Sequence, residues 1–122
     1  MKIPGPDHPI AIAASRKRMR VLHGGHLIAE SSAALILSEA AYNPVVYFPR
    51  ADVAMDYLAR TELHTHCPYK GEASYYALVR DGEVEDNAVW TYEDPFSAVE
   101  PIRGHLAFYP NHVVIEEVDE PA

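Results

Sequence analysis

Three tight-turn signals constrain the fold of this chain more than any other feature. Gly24-Gly25 separates Val21-Leu22-His23 from Leu27-Ile28-Ala29, and Asp81-Gly82 separates Ser74 to Arg80 from Glu83 to Tyr92. Pro110-Asn111 separates Leu106-Ala107-Phe108-Tyr109 from His112 to Val118. Such pairs supply the backbone conformations that short hairpin loops need, so each reads as a β-hairpin, with Asp81-Gly82 a type I′ turn. Pro44 and Pro49 bound a further β-branched and aromatic run, Val45 to Phe48. The run Ala33 to Ala41 fits a short helix or a buried strand on periodicity alone, and it is read here as a strand. Two helical stretches are expected. Val53, Tyr57 and Leu58 sit at helical spacing in a segment that ends before Thr65, and Glu93-Asp94-Pro95 opens a short helix through Val99 with its carboxylates near the positive end. The alternation of a strand puts Ala88, Trp90 and Tyr92 on one face, and it separates Leu106 and Phe108 from His105, Ala107 and Tyr109.

The 122 residues suffice for one domain. Residues 1–9 carry Pro4, Gly5, Pro6 and Pro9 and are expected to form an extended arm. Residues 10–118 form the single β domain, and the acidic tail 119–122 is expected to fray. Ten Lys and Arg against 18 Asp and Glu give a formal charge of −8, which argues against general binding to nucleic acid or anionic membranes. Arg16, Lys17, Arg18 and Arg20 read as charges guarding a strand edge rather than as an anion patch. One cysteine makes no intramolecular disulfide, and no apolar run has membrane-spanning length. With no apolar signal segment at the start, the expected setting is the cytoplasm.

Chemistry-bearing residues concentrate between Thr65 and Tyr76. Cys67-Pro68 followed by Lys70-Gly71 marks a turn, and a strand begins near Glu72. Cys67 is a candidate nucleophile with His66 or His105 as its base, or else a small buried apolar group. Lys70 reads as an exposed cation held on a rigid bend, able to pair with Glu72 and position a ligand. His64, His66, Glu72 and His105 resemble the ligand set of a metal-binding β-barrel, but the gap from His66 to Glu72 is longer than such sets use, so no metal and no cofactor is expected. Arg50, Tyr69, Lys70, Glu72, Tyr76, Trp90, Tyr92, His105 and Tyr109 are the candidate lining of a polar, aromatic-walled pocket for a small anionic or polar ligand. The alternative from another class is an interaction or self-association module that uses a strand edge or an aromatic patch to hold a partner or a second copy.

Four ordered blocks carry a family resemblance: Val45 to Arg50 with Asp52-Val53, Thr65 to Tyr76, Asn87 to Tyr92, and Ile102 to Tyr109. From about His8 to Val118 they resemble the domain of unknown function 427 family. The resemblance implies a small, mostly antiparallel β domain of bacterial and fungal proteins, in a tent-like or sandwich arrangement of two sheets with one or two short helices and no settled activity. A nucleotidyltransferase-like label sometimes attached to the family finds no pattern here. Two-metal chemistry needs closely spaced carboxylates beside a small-residue phosphate loop, whereas Asp52 and Asp56 stand isolated.

Overall fold

Hairpin pairing dominates the computed structural model, which describes residues 1–121. Its ten strands are β1 (Ile10–Ala14), β2 (Lys17–His23), β3 (His26–Ser31), β4 (Leu35–Glu39), β5 (Val45–Tyr47), β6 (Leu58–Cys67), β7 (Gly71–Arg80), β8 (Glu83–Thr91), β9 (Leu106–Phe108) and β10 (Val114–Pro121). They form three antiparallel sheets, ordered β6-β7-β8-β9, β1-β4-β5 and β10-β2-β3, one more than the expected pair. Phe48 and Leu106 exchange two backbone hydrogen bonds of 2.8 Å, which join the end of β5 to β9.

The glycine-bearing turns fold as read. Asp81 at φ +52° and Gly82 at φ +80° give the two left-handed residues of a type I′ turn, and Arg80 faces Glu83 across it. The Pro110-Asn111 turn does not close a hairpin. β9 pairs with β8, while β10 crosses to β2, so that Glu116 lies opposite Arg20 and Pro121 opposite Lys17. The tail through Pro121 is therefore strand rather than a frayed end, held by ladder bonds and by the 2.6 Å Arg20 to Glu116 ion pair. Ala122 lies outside the described residues. The N-terminal arm is also tied down, since Gly5 and His8 exchange backbone bonds and Lys2 N–H donates to the Pro68 carbonyl at 2.7 Å.

Both expected helices shrink to short 3₁₀ segments. Met55–Tyr57 makes one, and from Leu58 the chain is already the ten-residue strand β6. Eight of its ten positions are polar, charged or small, and most are exposed. An edge strand wetted in this way shows no clean alternation, and this hid it from the pattern. The second turn starts at Ser97, so Glu93 and Asp94 stay in a loop. Pro101 inside Ser97–Ile102 removes a donor and prevents an α-helix.

Strand alternation gives the four-stranded sheet a core on each face. On one side Tyr76, Leu78, Val89, Leu106 and Phe108 pack with Phe48 against Met19, Val21, Ile28 and Ala29. On the other, Ala73, Tyr75, Tyr92 and Ala107 pack with Leu37 and Tyr47, and Trp90 and Cys67 lean on them. The alternation expected of β9 holds, but Ala88 does not share the core of Trp90 and Tyr92. The β7–β8 register shifts between Tyr76 and Leu78 where Asn87 sits at φ +54°, and this irregularity turns Ala88 into the first core.

Thr91 is fully buried, and its hydroxyl is the one buried side-chain polar atom without a hydrogen-bond partner among the described residues. An unmet buried hydroxyl costs about 1 to 3 kcal/mol. Thr91→Val is thus expected to hold or raise the melting temperature. Phe48→Ala, which empties a site at the seam of two sheets, is expected to cost about 3 to 5 kcal/mol in denaturant titrations.

Candidate functional site

The turn after β6 is locked from four directions. Lys70 N–H donates to Cys67 O at 3.3 Å, and Phe96 N–H donates to Lys70 O at 3.0 Å. Gly71 stands at φ +109°, a region closed to side-chain-bearing residues, and a Cβ there would lie 3.5 Å from the Asp94 carbonyl oxygen. The loop Asp94–Phe96 is thereby seated on the turn. The Lys70 side chain runs inward, only 9% exposed, and its ammonium donates to Glu39 Oε1 on β4. His8 Nε2–H donates to the other Glu39 oxygen at 2.7 Å, and the His8 ring stacks on Tyr69 with centroids 3.9 Å apart and planes 3° from parallel. Burial pushes the Glu39 carboxyl up, but the hydrogen bonds from Lys70 and His8 outweigh it and hold the group below its ordinary value.

The expectation of an exposed Lys70 paired with Glu72 is therefore corrected. Its charge is matched inside the fold by a residue 31 positions away, a partner that no local spacing reveals. Tyr69 serves the same tether. Glu72 turns instead to His66, whose Nδ1–H donates to it at 3.2 Å.

A polar groove of about 510 Å³ opens on β6 and β7, on the face that carries Ser74. The ladder places His64 opposite Ser74 and His66 opposite Glu72, so these four side chains share that face. Arg60 lies just before a register shift in β6. Its guanidinium donates to both Glu93 oxygens at 2.8 and 3.1 Å and to Ser74 Oγ at 3.0 Å. The fork from Arg60 holds the Glu93 carboxyl below its ordinary range. Ser74, 7% exposed, forms the floor, with its Oγ 3.4 Å from both Glu93 Oε1 and His64 Nδ1. Phe96 and Asp94 complete the wall, and the His66 ring meets Phe96 edge-on at 6.1 Å. Arg50 donates to the Tyr76 hydroxyl at 3.3 Å, and Arg60 lies 5.9 Å over the Tyr76 ring, so that ring links the two arginines.

The remaining candidates belong elsewhere. Trp90 Nε1–H donates to Tyr47 at 3.3 Å, and its ring packs on Tyr109 at 4.4 Å. Trp90 lines a separate, largely apolar cavity of about 340 Å³ beside Pro44, Val46, Phe108 and Ile115. This cavity shares no residue with the groove, so the aromatic wall and the polar groups do not enclose one pocket. Burial pushes the Tyr47 and Tyr92 phenols well up. Tyr109 rises to about 12, first from burial and then from the neighbouring Tyr75 hydroxyl, so all three stay protonated at neutral pH. His105 Nδ1–H donates to the Arg103 carbonyl at 3.0 Å. Cys67 leans into the tyrosine-rich core while its neighbour His66 stands in the groove. Adjacent strand residues point to opposite faces, and the pairing of Cys67 with His66 fails on that geometry.

Among the described residues, the three-member group of metal-type donors is His23, Glu83 and Glu85, none of them in the set of His64, His66, Glu72 and His105 that resembles a metal-binding barrel. His23 Nδ1 accepts from Arg80 Nε–H at 3.1 Å, and this leaves the proton of the neutral ring on Nε2, which faces Glu83 and Glu85 at 3.8 Å each. Arg80 would have to leave and the proton move before Nε2 offered a lone pair to a cation. His112 meanwhile donates to Glu85 at 2.8 Å.

Sequence reasoning did not assign Arg60, Ser74, Glu93 or Phe96 to a site, nor Glu39 and His8 to Lys70. The available signal was pairing register. Once β6 and β7 are aligned through the Lys70-Gly71 turn and β7 and β8 through the Asp81-Gly82 hairpin, Arg60 lies opposite Tyr76 and Ser74 opposite Thr91, two residues before Glu93 in the loop.

Fold and groove together define a small antiparallel β domain with a polar, histidine- and carboxylate-lined surface site. The chain matches the domain of unknown function DUF427 over residues 11–119, and it belongs to that family. No curated protein matches it. No helix among the described residues is long and apolar enough to cross a membrane.

Breaking a buried ion pair strands its partner, at about 3 to 5 kcal/mol. Lys70→Ala and Glu39→Ala are each expected to lower stability by that order, with the double variant well short of the sum in a double-mutant cycle. Glu39 ordinarily titrates at 4.5 and is depressed in the fold. Its stabilisation is therefore complete above that pH and lost as the pH falls through the folded value. The stability gap between wild type and Glu39→Gln is expected to narrow on acidification below pH 4.5, as followed by urea titration.

Proposed function

We propose that the groove over Ser74 binds a small polar ligand bearing hydroxyl or amine groups. The single observation that carries this reading is the Ser74 floor, where a nearly buried hydroxyl is joined to Arg60, His64 and Glu93. Linked donors and acceptors of this kind are pre-organised for hydrogen bonding. The charge balance chooses among polar ligands. Arg60 is matched by Glu93, Lys70 by Glu39 and Arg103 by Asp94 and Glu100, while Glu72 is left with only a histidine. An anionic ligand would find no unmatched cation in the groove, whereas amines and hydroxyls meet carboxylate and imidazole acceptors. Phe96 adds a flat apolar wall for a ring or a carbon skeleton. Ser74 accepts a bond from a guanidinium, which withdraws electron density from its oxygen, so the hydroxyl is suited to holding a ligand rather than attacking one.

A thermal-shift series of polyols, sugars and small amines, with phosphates and dicarboxylates as the anionic arm, tests the reading. Saturable stabilisation by a member of the neutral or cationic arm is expected. It should be lost in His64→Ala and Glu72→Gln, both exposed positions whose replacement leaves the empty protein's stability within about 0.5 kcal/mol of wild type. Stabilisation confined to the anionic arm, or unchanged in both variants, would overturn it.

A further inference from the structure

We propose that β1 is the contact strand of a homodimer, pairing antiparallel with β1 of a second copy about a two-fold axis at Ile12. The β1–β4 ladder fixes which backbone groups are free. Ala40 N–H donates to Pro9 O and Ser15 N–H to Ala34 O, so in the same register Ala11 and Ala13 also bond inward. The N–H and C=O groups of Ile10, Ile12 and Ala14 then point outward, and none has a backbone partner among the described residues. With the axis at Ile12, Ile10 of one copy faces Ala14 of the other and Ile12 faces its own symmetry mate. Three such pairs make about six new hydrogen bonds and one continuous six-stranded sheet.

The other sheet edges are each blocked. β6 carries a register shift and the charges of Arg60 and Glu62, while β10 is lined by acidic residues that repel a second copy. β3 is partly capped, since Ala29 bridges to Val53 and Ala54 N–H donates to Ile28 O. β5 and β9 meet each other through the Phe48–Leu106 bridge, and of the remaining edges β1 alone has neither charge nor proline nor register shift. Its outward rim is small, with Ala11 and Ala13 exposed on one face and Ile10 and Ile12 half-buried on the other. Charge favours self-pairing over an arbitrary extended peptide. Asp7 stands just before the strand and Arg16 just after it, neither in an ion pair among the described residues, and antiparallel pairing brings each toward its opposite on the second copy. A five-residue strand pair buries less than the roughly 1,200 Å² of a stable interface, so the dimer is a weak, concentration-dependent one.

Sedimentation equilibrium on the full chain, over a concentration series reaching the millimolar range, tests the proposal. A mass rising from monomer toward dimer is expected. Ala14→Pro removes an outward N–H that β4 does not use, and the pair Ala11→Lys with Ala13→Lys sets lysine opposite lysine across the axis. Both proteins are expected to stay monomeric with an unchanged circular dichroism spectrum. If Ala14→Pro does not fold, the lysine variant decides, since both its positions are exposed. Asp7→Lys is expected to weaken association, and adding Arg16→Asp to restore it. A protein monomeric at every concentration, or a dimer that survives the lysine substitutions, overturns the proposal.

Discussion

The Lys70–Glu39 pair is the constraint on which the arrangement of sheets depends. It runs from the turn between β6 and β7 to the end of β4, so it fastens the four-stranded sheet to the sheet that covers one of its faces. Two charges in a nearly dry position hold only if each is fully bonded. Here Glu39 takes a second donor from His8, and His8 is itself clamped by stacking on Tyr69. The N-terminal segment is thus part of the domain rather than a loose leader to it. Removing Lys70 or Glu39 leaves the other's nearly buried charge without its ion-pair partner.

The same turn shapes the surface on its other side. Because Lys70 is drawn inward, its carbonyl is free to accept Phe96 N–H, and the glycine that follows lets the loop Asp94–Phe96 lie close against the chain. That loop is the far wall of the polar groove, and Arg60 braces the residue before it, Glu93, against Ser74. Tether and groove are two faces of one local structure. Damage to the tether would disturb the groove indirectly, whereas His64 and Glu72 touch the groove without supporting the fold.

Much of the architecture was legible because its causes are local. Asp81-Gly82 dictates a type I′ turn, prolines at 44 and 49 bound β5, and alternation separates Leu106 and Phe108 from Ala107. Where the reading missed, a non-local cause won. β6 is an edge strand whose polar surface carries no periodic signal, and the last strand took β2 instead of β9 because Arg20 and its neighbours offer an acidic strand a charge-matched edge. The candidate site suffered most. Arg50, Lys70, Glu72 and His105 are close in motif space, yet their side chains lead to Tyr76, Glu39, His66 and Arg103 respectively.

By itself the sequence determined that this is a mainly β fold built from hairpins, that chemistry-bearing residues concentrate between Thr65 and Tyr76, and that the chain resembles one family along nearly its whole length. Turn chemistry, side-chain alternation and net charge are properties of a few neighbouring residues or of the composition. They survive whatever the rest of the chain does. Only the tertiary structure decided that Lys70 is a buried tether, that Cys67 and His66 face apart, and that Trp90 and the groove's polar groups line separate cavities. Those outcomes depend on which strand lies beside which and in what register, and a residue's partner across a sheet is set by the whole fold rather than by its neighbours in the chain.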